Sequence, residues 1–251
     1  MSTALVTGAS AGIGAAFVRK LAADGLDQVL VARNEDRMNA QAEQLRASHG
    51  VKVEVLRADL ATDEGIEAVE DRVRSVDLLV NNAGFGNTGA FLEVPVEDEL
   101  RMLKVHCEAV LRLTHAALPG MIKRAKGGVI NVASVAAFAV RGTYGASKAW
   151  VLSFSRGAAA DLSGQGVHVM ALCPGFVHTE FHQRAGMGVS NVPKFMWLDA
   201  DYVVSVALRD FRRGVGVSTP GAQYKTVVGF TRLVPPSLVG RLSSRTGRKY
   251  G

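Results

Sequence analysis

Short apolar runs of strand character alternate with longer helical stretches along this chain, and that alternation leaves few folds open. An apolar run of four to six residues has to be covered on both faces, which a parallel sheet achieves by packing the intervening helices on either side. Such runs fall at residues 4–7, 28–32, 51–56, 76–80, 128–132, 167–172 and 215–218. Helical patterning follows the first run as far as about Asp24, then recurs at about 35–48, 63–74, 96–123, 144–162 and 201–211. The expected fold is an α/β, doubly wound sheet of about seven mostly parallel strands with helices on both faces. No internal repeat or linker interrupts the pattern, so a single domain over 1–251 is expected, with 211–251 as a basic extension of it.

The turn after the first run reads Thr7-Gly-Ala-Ser-Ala-Gly-Ile-Gly14. Between a strand and a helix, Gly8 permits a tight turn, Gly12 lets a pyrophosphate approach the backbone, and Gly14 allows helix and strand to pack closely. The helix start then offers free N–H groups and the positive end of its dipole to an anion. A ligand-free glycine turn is the alternative. At the end of the second run, Ala32 and Arg33 precede any acid, which first appears at Glu35. An acid there would bind a ribose hydroxyl, whereas the arginine fork matches a 2′-phosphate, so NADP(H) is favoured over NAD(H).

Tyr144 and Lys148 stand one helical turn apart. On a helix they share a face. Moving a phenol from about 10 to near neutrality takes roughly 4 kcal/mol. One ammonium about 4 Å away supplies about that much at an effective dielectric near 20. The pair is a plausible general acid/base for a carbonyl or an alcohol.

With these motifs in order, the chain resembles the short-chain dehydrogenase/reductase superfamily in its compact, single-domain, Rossmann-fold branch. The resemblance runs from about Thr3 to Phe181: the glycine motif with Ser10 and Ile13, Asp59-Leu60, Asn81-Asn-Ala-Gly84, Ser134, Tyr144/Lys148, and Pro174-Gly-Phe-Val-His-Thr179. It implies that Asp59 and Leu60 contact the adenine end, while Asn81, Ala83 and Gly84 line the adenine ribose and steady the central sheet. Pro174, Gly175, Val177 and Thr179 would border the nicotinamide. Tyr144 would exchange the proton with the substrate oxygen, Lys148 would lower its pKa and hold the nicotinamide ribose, and Ser134 would bond the reacting carbonyl. It further implies a homodimer or homotetramer built through the helices at 96–123 and 144–162. The implied activity interconverts a ketone or aldehyde with an alcohol by hydride transfer. A non-catalytic NADP(H)-binding regulatory protein on the same fold is the alternative, and a nucleotide-sugar epimerase a weaker rival.

Two departures stand out. Ser134 precedes Tyr144 by ten residues, a few fewer than the family usually has, so the loop between them must be tight. His106 stands where the family usually carries an asparagine associated with a water beside the lysine, so His106 or its helix backbone is expected to hold such a water. A histidine that merely packs beside the active-site strand is the competing reading.

Phe181, Met187, Phe195, Met196 and Trp197 suggest an apolar substrate wall, or else core or interface. The net charge is +6, yet the first 210 residues hold 21 of the 29 basic and all 23 acidic side chains, a net of −2. The excess is confined to the tail, without zinc-finger spacing or aromatic-basic interleaving, so nucleic acid is not an expected partner. The tail reads as packing on the domain in preference to lying on an anionic membrane. No apolar run approaches the ~20 residues of a spanning helix. The chain begins directly with a strand-like run, and Cys107 and Cys173 read as reduced core residues with no metal site, so a cytoplasmic location is expected.

Overall fold

The structure, a computed structural model, describes residues 2–139, 142–186, 188 and 192–231. Met187 and the tail from Arg232 onward, both invoked above, lie outside the described residues. The chain runs β1 (Thr3–Thr7), α1 (Gly12–Ala23), β2 (Asp27–Ala32), α2 (Glu35–His49), β3 (Val53–Arg57), α3 (Asp63–Val73) and β4 (Leu78–Asn81). It continues through α4 (Val96–Leu103), α5 (Ala109–Lys123), β5 (Gly127–Val132), α6 (Gly142–Asp161), β6 (Val167–Leu172) and α7 (Phe181–Arg184). Last come α8 (Ala200–Arg212), β7 (Val217–Ser218) and α9 (Ala222–Thr231).

The strands form one sheet in the order β3-β2-β1-β4-β5-β6-β7, and each pairing is parallel. Strand alternation divides the core in two. Val6, Leu30, Val80, Ile130 and Met170 face α1, α2 and α8, where Phe17, Met38 and Val204 are buried. Leu5, Val29, Leu79, Val129 and Val169 face the other way, onto Ile66 of α3 and Leu113 and Met121 of α5. The strand order reverses between β1 and β4, and in doubly wound sheets the usual ligand position lies beyond the carboxyl ends of the strands at such a point.

Local chemistry sets most boundaries. Asn34 caps α2 by accepting the Arg37 N–H at 2.9 Å, Thr62 caps α3, and Asp199 caps α8. Gly50 ends α2 in the left-handed conformation, which spares a Cβ the steric conflict. The structure differs from expectation at 96–123, which is not one regular helix. Lys104–Glu108 forms a π-helical turn between α4 and α5. Ala222–Thr231 also forms a helix that the strand and helix patterning above did not resolve.

Candidate active site

The glycine turn is pinned to the end of β4. The Thr7 hydroxyl accepts the N–H groups of Asn82 and Ala83 at 2.9 and 3.0 Å, and Asn82 Nδ2 donates to the Thr7 and Gly8 carbonyls at 2.9 and 3.3 Å. A Cβ on Gly8 would lie 2.8 Å from that nitrogen, and one on Gly14 would run into the Gly8 carbonyl. Gly8 and Gly12 adopt φ of +66° and +55°, conformations that favour glycine. Ser10 lies in the same turn, and Ile13 leans on the core behind it. Ala11, at the start of α1, provides no side-chain cap, and the first turn holds no acid. A bare helix start behind a turn that excludes Cβ atoms fits the pyrophosphate of a dinucleotide.

At the far end of this cradle, Arg33 Nη1 lies 3.9 Å from Asp59 Oδ2, and the arginine side chain remains 67% exposed. The two side chains expected at the adenosine end are therefore neighbours. Asp59 also accepts the Ala61 N–H at 3.0 Å, while Leu60 is buried. Asn81 is buried too. Its Nδ2 donates to Thr114 Oγ1 at 3.1 Å and to Asn131 Oδ1 at 2.9 Å, joining β4, α5 and β5. Its side chain ties the sheet to α5, and Ala83 and Gly84 follow it beyond the end of β4.

Ser134 follows β5 and opens a 3₁₀ turn, Val135–Phe138, with its hydroxyl accepting the Ala136 N–H at 3.1 Å. That turn, with α6 beginning at Gly142, accommodates the short Ser134–Tyr144 spacing. The Ser134 hydroxyl neighbours the Tyr144 phenol, whose pKa it acts to lower. Lys148 is buried, its Nζ donates to the Val132 carbonyl at 3.0 Å, and it lies 5.9 Å from the centre of the Tyr144 ring. Burial pushes Tyr144 up to about 12, opposed by the neighbouring Ser134 hydroxyl, and brings Lys148 down to about 8. The expected tuning of the phenol toward neutrality is not achieved in the chain alone. Lys148 is engaged by Val132, and desolvation of the phenolate prevails.

His106 lies inside the π turn and is fully buried. Its Nε2 accepts the Phe85 N–H at 3.2 Å, and its Nδ1 is 2.9 Å from Ser147 Oγ. Ser147 Oγ itself donates to the Tyr144 carbonyl at 2.8 Å, so Nδ1 carries the ring proton and donates to Ser147. Burial and the nearby Lys148 charge hold the ring well below its ordinary pKa, in the neutral form this pattern requires. Both ring nitrogens are engaged, leaving the side chain no nitrogen for the expected water. Its ring also meets Tyr144 edge-on, with centroids 5.7 Å apart.

The segment after β6 closes the crevice. A Cβ on Gly12 would lie 3.0 Å from Thr179 Cγ2, which brings the expected nicotinamide border against the glycine turn. The Pro174 carbonyl accepts the Val135 N–H at 3.0 Å, and Val177 forms a parallel bridge with Leu198. A Cβ on Gly175 would run into the Tyr224 ring, whose hydroxyl accepts the Phe176 N–H at 2.9 Å. Sequence reasoning missed Thr7, Asn82, Ser147 and Tyr224. Thr7 and Asn82 lay within quoted motifs, but the other two carry no local signal. Phe181 reaches to 6.0 Å from the Tyr144 ring, and Trp197 stacks on His178 at 4.7 Å. Phe195, also expected in this wall, points to solvent at 70% exposure.

A family model described as short chain dehydrogenase matches residues 2–188. The chain belongs to the short-chain dehydrogenase family. Among relatives in this family, the serine 3-dehydrogenase of Agrobacterium fabrum is 37% identical over 184 residues, covering 71% of this chain and 73% of that enzyme. A short-chain dehydrogenase from Sphingobium yanoikuyae, solved in complex with NADPH, is 36% identical with a TM-score of 0.86, covering 92% of this chain and 94% of that one. The bulky-bulky ketone specific alcohol dehydrogenase of Comamonas testosteroni is 32% identical with a TM-score of 0.81, covering 93% and 92%. The seven-stranded parallel sheet is that of the short-chain dehydrogenase family. Among the described residues no helix is long and apolar enough to cross a membrane, and no cluster of side chains could hold a metal ion.

Proposed function

We propose that the chain is an NADP(H)-dependent oxidoreductase that interconverts a bulky, hydrophobic ketone and its alcohol, with Ser134, Tyr144 and Lys148 at the reacting centre. The observation that carries this reading is that Ser134 neighbours Tyr144, that buried Lys148 lies beside Gly84 after β4, and that the glycine turn meets Thr179. The dinucleotide, when bound, supplies or accepts the hydride. Gly8, Ser10, Gly12, Ile13 and Gly14 hold its pyrophosphate, Arg33 its 2′-phosphate, and Asp59 and Leu60 its adenine. Asn81, Ala83 and Gly84 support the adenine-ribose side, while Pro174, Gly175, Val177 and Thr179 border the nicotinamide. NADPH in the Sphingobium relative supports the choice of cofactor.

The residues divide the proton work. Ser134 Oγ directs a hydrogen bond at the substrate oxygen and stabilises the charge that develops there. Tyr144 Oη delivers the proton to that oxygen in reduction and removes it in oxidation. With its pKa pushed up to about 12, the phenol is protonated at neutral pH, the state reduction requires. Lys148 holds its positive charge beside the ring and favours phenolate once the proton has left. Phe181 against Tyr144, together with Phe176 and Trp197 behind it, favours an apolar substrate over a sugar. The specificity of the Comamonas relative for bulky ketones supports the same class.

A carbonyl panel followed by NADPH absorbance tests the proposal. Tyr144→Phe is expected to lower kcat by about 10²–10⁴-fold, with NADPH affinity retained. Wild-type protein that binds NADPH but turns over no carbonyl would support the non-catalytic alternative.

A further inference from the structure

Beside β7, the last strand in the sheet order, the end of α8 and the inner side of α9 frame an open hollow of about 390 Å³. Val215, Val217 and Val228 line it together with Thr219, and Arg209, Arg213 and Lys225 bring three cations. The valines are buried or half-buried while Arg213 and Lys225 are exposed, so an apolar floor lies under a cationic rim. Asp210 is the one carboxylate of the lining, and both its oxygens are engaged. Oδ2 accepts from Ser218 Oγ at 2.7 Å, and Oδ1 accepts from Arg209 Nη2 and Nε at 2.8 and 3.1 Å. Burial pushes its pKa up, but these bonds and the Arg209 and Lys225 charges hold it below the ordinary carboxylate value, so it is ionised at neutral pH. Asp210 therefore offsets Arg209. Among the described residues neither Arg213 nor Lys225 forms an ion pair, and their two charges are left over at the rim.

We propose that this hollow is a second binding site, for a small amphiphilic anion: a carboxylate or phosphate monoester carried on an alkyl body. Arg213 offers the head group a guanidinium fork and Lys225 a point charge. The three valines give the alkyl body apolar surface to leave water against. A bare inorganic anion would make no use of that floor, and a neutral apolar molecule would make none of the rim. The volume lies in the range of small-molecule sites. Neither the glycine turn nor Ser134, Tyr144 or Lys148 lines the hollow, which separates it from the candidate active site. The two meet only through α9, where Tyr224, the residue before Lys225, accepts the Phe176 N–H at 2.9 Å.

Isothermal titration of the full chain, with NADPH in excess to occupy any cofactor phosphate site, tests this with four probes: decanoate, decyl phosphate, decanol and butyrate. At least one of the two long anions should saturate a single site with a Kd below about 1 mM. Tighter binding by either supports the proposal and assigns the head group. Decanol, which lacks the charge, and butyrate, which lacks most of the alkyl body, should each bind at least about tenfold more weakly. Arg213→Gln with Lys225→Gln should weaken the preferred anion at least about tenfold, and an unchanged thermal midpoint shows that this variant is folded. Absence of saturable binding, or decanol or butyrate binding as tightly as the long anions, would overturn the proposal. So would undiminished binding by the double variant, which would place the anion elsewhere on the protein.

Discussion

Lys148 carries its ammonium to a place nearly sealed from water, where the Val132 carbonyl meets it at 3.0 Å. Its pKa falls from an ordinary 10.5 to about 8, so at pH 7 the folded protein holds a charge that the unfolded chain would solvate better. That drop corresponds to roughly 3 kcal/mol against folding. The cost is fully present below about pH 8 and fades as pH rises toward 10.5. Lys148→Met should therefore stabilise the cofactor-free protein at pH 7 by about 2 kcal/mol, allowing about 1 for the orphaned carbonyl. It should also abolish turnover. Denaturant melts at about pH 7 and pH 10 check the sign, since the advantage must shrink at the higher pH. Conflict between stability and function at this residue is expected if the charge is retained for chemistry.

The π turn at Lys104–Glu108 is where helix geometry gives way to the site. An extra residue in the turn lets His106 project inward and join the segment after β4 to α6. It accepts from Phe85 after β4, donates to Ser147 on α6, and packs edge-on against Tyr144. Held neutral by burial, the ring resists protonation that the unfolded chain accepts near 6.5. Stability should be intact above about pH 6.5 and be lost progressively as pH falls toward the lowered folded value. His106→Asn cannot titrate, so its unfolding free energy should fall less than wild type between about pH 7.5 and 5. Parallel slopes would show that other groups set the acid limb. Periodicity made the helix legible here, but not its π turn. The hydrogen-bond partners that draw His106 inward, the Phe85 N–H and the Ser147 hydroxyl, lie 21 and 41 residues away.

Across the whole molecule, ion pairs tie distant segments around the cofactor crevice. Arg37 on α2 grips Glu180 with two bonds, 3.0 and 2.7 Å, over a separation of 143 residues. Both side chains are almost half exposed, and such pairs contribute about 0–1 kcal/mol to folding. A kinetic consequence is expected as well. The pair links α2, which begins two residues after Arg33, to the segment that touches Gly12, so it ties together both sides of the glycine turn. Glu180→Gln should leave thermal stability within about 1 kcal/mol and raise the NADPH dissociation rate, most clearly at low salt. Stopped-flow release rates unchanged from wild type would reduce the pair to an ordinary surface contact.

By itself, the sequence determined the layered α/β architecture, the glycine turn and the one-turn spacing of Tyr144 and Lys148. Each of these follows from residues close together in the chain, where periodicity and backbone conformation act directly. Even the order of the motifs was enough to identify the family. Tertiary structure decided what those residues experience. It placed Tyr144 and Lys148 where desolvation dominates both of their pKa values, occupied both nitrogens of His106, and turned Phe195 outward. Burial and long-range partners depend on which surfaces the fold brings together, and no local spacing encodes them.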